Sequence, residues 1–330
     1  MTIILDPVLG EEGAATMLRL RDDFGPYGMY SNEGFDTGYA PELPQRFDAV
    51  RNHLRRALER ERSQPVRTVA ARTNYFRETY AYGEDIFAPG IERFRRHEAF
   101  IEAARAIHER QVVVPSIVYA NLYLPGQELA VHTDVPEFRG ANRKTTPQWL
   151  LVAMHHSGLF ARWHMPIATA IAFFGQGESG ALVTYPDGPD RPRVDVEPRH
   201  DTAAVLDTDT VFHGVARVAG DDGSTGAVEL ARPGMRLHPG QSWQLRDGDT
   251  SVAEVSPTSL RFSVSWKAYC FADTQDRRRW AEHDDDLSLD RILETIERDL
   301  LHRGLLAGER PEPIAFAPII VDAYTHFPRG

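Results

Sequence analysis

His132-Thr133-Asp134 closes a β-prone stretch that spans residues 119–139 and turns at Pro125-Gly126. In an extended strand residues i and i+2 share a face, so His132 and Asp134 present an imidazole and a carboxylate side by side. One further histidine would complete the two-histidine, one-carboxylate face of a non-haem iron site. The triplet alone also fits two polar residues at a strand end, so a partner has to come from later in the chain. His200 lies in a polar loop, His238 in Leu-His-Pro-Gly, and His213 in the β-branched run 211–218. A ligand must be held rigidly, which favours the strand position of His213. Gly214 beside it lets a neighbouring group come close. His155, His156 and His164 lie near aromatic residues and read as core or pocket-lining side chains.

A second chemical feature follows in Ser259-Leu-Arg-Phe-Ser-Val-Ser-Trp266. Alternation puts Arg261, Ser263 and Ser265 on one face and Leu260, Phe262 and Val264 on the other. Turned inward, the arginine needs an anionic partner. A carboxylate bound in a fork, with a serine hydroxyl adding a hydrogen bond, would satisfy it. Turned outward, the same residues are a solvated polar face.

The elements that must position these groups are short strands. Residues 112–124, 129–133, 149–154, 167–174, 181–185, 193–196, 202–206, 211–218 and 260–271 are apolar or β-prone runs. Gly, Pro and Asp turns separate them, a pattern that suggests a sandwich or barrel such as a jelly roll. Before them come a short helix near residues 13–23, an amphipathic helix over 44–62, a β-prone stretch 66–82 and a helix over 90–110. The polar segment 219–258, with weak hairpin-like runs at 235–237 and 242–245, reads as a surface excursion. Ser288 is a candidate N-cap for a helix closed near Gly304, and the proline-rich tail from Pro311 reads as extended chain. The expected organisation is therefore one catalytic domain. Residues 1–110 form a helical support region, 111–271 a β core with an insert at 219–258, and 272–330 a C-terminal helix and tail. The 330 residues carry a net charge of −11, which argues against a nucleic-acid partner. One cysteine, Cys270, excludes an internal disulfide and reads as a packing thiol. No apolar run is long enough for a membrane span and the N-terminus lacks signal-peptide character, so a cytoplasmic location is expected.

In order and strand context, Tyr123-x-x-Gly126, His132-x-Asp134, Gly180-Ala-Leu-Val-Thr-Tyr-Pro186, His213-Gly-Val-x-x-Val218 and Arg261-x-Ser263 with Trp266 resemble the Fe(II)/2-oxoglutarate-dependent dioxygenases, in their prolyl-4-hydroxylase-like pattern. The likeness covers roughly residues 112–271. It implies a mainly β fold with flanking helices around a double-stranded β-helix, the jelly-roll or cupin-like core. It implies Fe(II) held by His132, Asp134 and His213, with 2-oxoglutarate and O2 as co-substrates. Arg261 would meet the distal carboxylate of 2-oxoglutarate, with Ser263 and Tyr123 as supporting donors. An intact carboxylate at Asp134 implies hydroxylation, desaturation or cyclisation rather than halogenation. The chain departs from the pattern in the gap of 48 positions from His213 to Arg261. A long loop at 219–258 would account for the gap; otherwise Arg217 is the fallback.

The substrate is expected to be a small molecule, an amino-acid derivative or specialised metabolite, with no nucleic-acid or membrane partner. Arg139 or Arg143, in the basic loop 138–144, is expected to meet an anionic group, with Trp149 or Trp163 as a pocket wall. Two other readings stay open. A cupin-type iron dioxygenase would not use 2-oxoglutarate and would not need Arg261, and a jelly-roll binding module would lack catalysis altogether.

Overall fold

The computed structural model describes residues 1–30, 39–44, 46–60, 73–175, 179–220 and 226–328. In chain order the strands begin with β1 (Thr2–Leu5), β2 (Tyr27–Met29), β3 (Phe76–Tyr82), β4 (Asp85–Ile86), β5 (Val112–Tyr123) and β6 (Leu129–His132). Then come β7 (Glu137–Phe138), β8 (His164–Met165), β9 (Ile167–Phe174), β10 (Leu182–Tyr185), β11 (Val194–Val196) and β12 (Thr202–Asp207). The set ends with β13 (Phe212–Val215), β14 (Arg236–His238), β15 (Trp243–Asp247), β16 (Thr250–Val255) and β17 (Arg261–Phe271). A major antiparallel sheet runs β1-β12-β9-β17-β5-β3-β2-β14-β15-β16, and a minor one runs β11-β10-β13-β6. A cavity lies between them, lined by β5, β9 and β17 on one side and by β6, β10 and β13 on the other. This is the expected jelly-roll arrangement.

Burial on both faces explains why β17 is central. Phe262, Val264, Trp266 and Ala268 alternate onto the outer face, where Trp266 meets Phe100 of the helix Glu98–His108 with ring centroids 5.5 Å apart. The Trp266 indole N–H also donates to the carbonyl of Arg95 at 2.8 Å. Arg261, Ser263 and Ser265 occupy the inner face and are buried too. The outward, solvated reading of this face does not hold, because the minor sheet covers it.

Four expectations need correction. Residues 149–154 form not a strand but the middle of the helix Gln148–Ser157, closed by left-handed Gly158. A short apolar run buried all round carries no period that separates the two states, and Leu, Ala and Met favour the helix. The tail is not extended: Pro313–Tyr324 is a helix with Pro313 in its first turn, where a missing N–H costs nothing. It packs with Leu289–His302 against Gln148–Ser157 through Ile296, Leu300, Phe316 and Ile320. Ser288 does cap Leu289–His302, accepting from the Arg291 N–H at 3.3 Å.

The segment 219–258 is not a surface excursion either. Its β14, β15 and β16 extend the major sheet through β2 and bury Trp243 completely, 5.8 Å from the Tyr27 ring. Finally, residues 1–110 supply strands β1, β2 and β3 to that sheet as well as helices. The helix expected over 90–110 is broken at His97 into Glu92–Arg95 and Glu98–His108. Those expected near 13–23 and over 44–62 are Gly10–Asp23 and Phe47–Arg60. Residues 61–62, and 66–72 of the β-prone stretch, lie outside the described residues.

Candidate active site

β6 and β13 pair so that His132 stands directly opposite His213. A Cβ on Gly214 would sit 2.6 Å from the Leu129 carbonyl, so only glycine lets the two strands close to this register. The His132 Nδ1 donates to the Ala130 carbonyl at 2.7 Å and the His213 Nδ1 to the Val211 carbonyl at 2.9 Å. A carbonyl can only accept, so each Nδ1 carries a proton and Nε2 is the ring nitrogen left to meet a ligand. They lie 3.8 and 3.9 Å from Asp134 Oδ1. Among the described residues His132, Asp134 and His213 are the group with metal-ligating geometry. Burial, with the neighbouring His132, pushes the His213 imidazole down to about 4, so it is neutral and ligand-ready at pH 7.

Lys267, absent from the sequence expectations, donates to Asp134 Oδ2 at 2.6 Å. Burial alone would raise the Asp134 carboxyl, but Lys267 and the two histidines outweigh it and hold it well below the usual range. The signal was the same alternation that picked Arg261, Ser263 and Ser265, carried one step further along β17.

At the other end of β17, Arg261 is 2% exposed and has no carboxylate partner among the described residues. Its Nε donates to the Gly180 carbonyl at 2.6 Å and its Nη1 to Ser263 Oγ at 3.2 Å, while the buried Nη2 has no partner. The guanidinium carbon lies 5.0 Å from the Tyr123 ring and 5.3 Å from that of Phe173. Gly180, at φ +78, is required because a Cβ there would meet Arg261 Cδ at 2.6 Å. Burial depresses the pKa of this guanidinium, the reverse of what an acid partner would do. Tyr123, Arg261, Ser263, His132, Asp134 and His213 all line one cavity. Arg217, the fallback, is exposed. The long gap before Arg261 is spanned by the strands added at β2.

The expected substrate-side residues separate. Arg139 is 5% exposed and committed elsewhere, its Nε donating to Asp285 Oδ1 at 2.6 Å and its Nη2 to the Arg162 carbonyl. The nearby Asp285, in a chain segment that sequence distance hid, is the physical reason it does not serve the cavity. Trp149 is 1% exposed, packed between the rings of Tyr39 and Phe47. Trp163 is buried and donates to the Asp285 carbonyl at 2.8 Å. Neither tryptophan lines the cavity. Arg143, by contrast, lies within the electrostatic field of Asp134 and Tyr30.

His155 and His164 form a second cluster, with ring centroids 4.5 Å apart. The His164 Nε2 is 3.6 Å from Asp209 Oδ2, and Asp209 is fully buried with neither carboxylate oxygen hydrogen-bonded. Burial pushes this carboxyl up to about 8. An unfolded aspartate ionises near pH ~3.9. Wild-type stability from this group is therefore complete below pH ~4 and lost as pH rises toward 8, at up to ~1.4 kcal/mol per pH unit. Asp209→Asn is expected to remove that slope. Urea unfolding at pH 5 and pH 7.5 checks it, and an unchanged slope in the variant would contradict the assignment.

Comparison with protein-family models finds no match, and comparison with curated proteins finds none. Among solved structures the chain is similar to a prolyl hydroxylase from Trichoplax adhaerens in complex with a hypoxia inducible factor peptide fragment. Identity is 10%, the match covers 85% of this chain and 86% of that one, and the TM-score is 0.43. It is similar to a prolyl-4-hydroxylase from Pseudomonas putida at 15% identity, covering 79% and 100% of the two chains, with a TM-score of 0.33. HygX from Streptomyces hygroscopicus, with nickel, 2-oxoglutarate and hygromycin B bound, matches at 10% identity over 82% of each chain, with a TM-score of 0.37.

Proposed function

We propose that the protein is an Fe(II)/2-oxoglutarate-dependent oxygenase that oxidises an unactivated C–H bond of a small molecule. The observation that carries this reading is the buried Arg261 guanidinium, without an anionic partner, in the same cavity as the His132, Asp134 and His213 face. A buried charge left unpaired costs several kcal/mol, so the site is built for an anion that arrives from solution. The donor set fits the metal. Two imidazoles and one carboxylate are the ligands of non-haem Fe(II) oxygenases, and three on one face leave room for co-substrate and oxygen.

His132 Nε2, His213 Nε2 and an Asp134 oxygen would hold Fe(II). Bound together, iron and 2-oxoglutarate supply oxygen activation coupled to oxidative decarboxylation, with succinate and CO2 as co-products. The chain's own residues do the rest. The carbonyls of Ala130 and Val211 fix the imidazole orientations, and Lys267 fixes the Asp134 carboxylate. Arg261 and Ser263 would receive the distal carboxylate, beside the Tyr123 ring. Leu182, Ile171 and Val215 wall the cavity and limit water.

Anaerobic addition of Fe(II) and 2-oxoglutarate is expected to produce the weak visible metal-to-ligand charge-transfer band, and oxygen uptake is expected to track succinate formation. No band would refute the proposal. A cupin-type iron enzyme would consume oxygen without forming succinate.

A further inference from the structure

We propose that the substrate is an organic anion whose acidic group is held by Arg77, with its carbon body lying along a tyrosine wall toward the metal-ligating triad. This rests on the oxygenase reading above and names the substrate class for that site. In the β3–β5 register Arg77 stands opposite Asn121, a cavity-lining residue, so the two share the inner face. The Arg77 guanidinium carbon lies 3.6 Å from the centroid of Tyr119 and 5.3 Å from that of Tyr30. Such stacking holds an arginine in place without using its N–H donors. Tyr30 stacks on Tyr75 at 5.1 Å, and Tyr75 on Tyr123 at 5.2 Å. An aromatic wall therefore runs from Arg77 to the ring beneath Arg261.

The local acids and cations divide cleanly. Asp134 is taken by Lys267, and Glu137 accepts from the Tyr269 hydroxyl at 2.9 Å. Arg46 is committed to Asp48 through two nitrogens and to the Thr133 carbonyl. Arg77 and Arg143 have neither a hydrogen bond nor an ion pair among the described residues. Burial pushes the Tyr30 hydroxyl up, yet Arg143, Arg77 and Arg46 together hold it below the ordinary phenol value. In a chain of net charge −11, Arg77 brings a positive charge without an ion-pair partner among the described residues to the cavity-lining Tyr119. That charge suits a carboxylate or phosphate monoester on a planar or apolar body.

The test uses four acid–neutral pairs: benzoate and benzamide, phenylacetate and phenylacetamide, N-acetylphenylalanine and its amide, and phenyl phosphate and phenol. Dissociation constants are measured calorimetrically on the full chain, anaerobically with Fe(II) and saturating 2-oxoglutarate. At least one acid is expected to bind about 10-fold or more tightly than its neutral partner, the scale of one charge-assisted hydrogen bond. The ratio is expected to fall to about 3-fold or less in Arg77→Gln and to recover in part in Arg77→Lys. Because the neutral partner is an internal reference, a general loss of folding does not imitate this result. No acid preference in the wild type would overturn the proposal, as would a ratio unchanged in Arg77→Gln. Loss of the preference in Arg261→Met alone would also overturn it, since the acid would then occupy the co-substrate end. Failure of the oxygenase reading shows separately, as the missing charge-transfer band before any probe is added.

Discussion

Asp134→Ala is expected to yield a protein that neither retains iron nor turns over. Loss of a partner behind a ligand typically costs 10–100-fold in metal affinity, and loss of the ligand itself should exceed ~100-fold. The variant should also be less stable by about 3–5 kcal/mol, for a separate reason. Lys267 Nζ, 2.6 Å from Asp134 Oδ2 and largely buried, would be left as an unpaired charge. The two effects come apart in Asp134→Ala combined with Lys267→Met. Removing both charges should restore much of the stability, while iron retention and activity stay lost. Urea denaturation, iron content and succinate formation read the three quantities. A single variant that keeps its iron, or a double variant that regains activity, would remove Asp134 from the ligand set.

Arg261→Met should move function and stability in opposite directions. The apparent KM for 2-oxoglutarate is expected to rise about 100-fold, roughly 2.7 kcal/mol, with the loss of a charge-assisted fork. The ligand-free protein is expected to be as stable as wild type or slightly more so, since a buried guanidinium with a partnerless Nη2 is exchanged for an apolar chain. Thermal unfolding with and without 2-oxoglutarate separates these. The co-substrate should raise the Tm of the wild type and not that of the variant. An unchanged KM would assign the buried arginine to structure alone. The pairing of lost binding with retained stability follows from a site that holds its charge ready for a ligand.

Both predictions rest on side chains whose alternation could be read without coordinates. Period 2 along residues 261–265 put the arginine and serines on one face, and the i, i+2 spacing put His132 beside Asp134. His213 was preferred over His200 and His238 because a strand holds a ligand more firmly than a loop. The paired register of β13 and β6 sets His213 opposite His132. Such features are local: backbone pleating alone orients residues two apart, whatever surrounds them.

Tertiary structure decided what depends on partners distant in sequence. Arg139 and Arg143 lie four residues apart in one basic loop, and nothing local distinguishes them. Asp285, 146 residues from Arg139, withdraws the first, while the second stays within the field of Asp134. Arg77 stacks on Tyr119, a cavity-lining residue, only because β3 pairs with β5. Residues 148–157 became a helix because the helices at 289–302 and 313–324 cover it on a side that no periodicity could reveal. The sequence by itself set His132 beside Asp134 and put Arg261 on one face with Ser263 and Ser265, since both follow from strand geometry over a few residues; which way that face turns was decided by the minor sheet that covers it. The pairing of Lys267 with Asp134, the commitment of Arg139 and the stacking of Arg77 on Tyr119 were decided only by the tertiary fold. Long-range charge pairing leaves no local period to read.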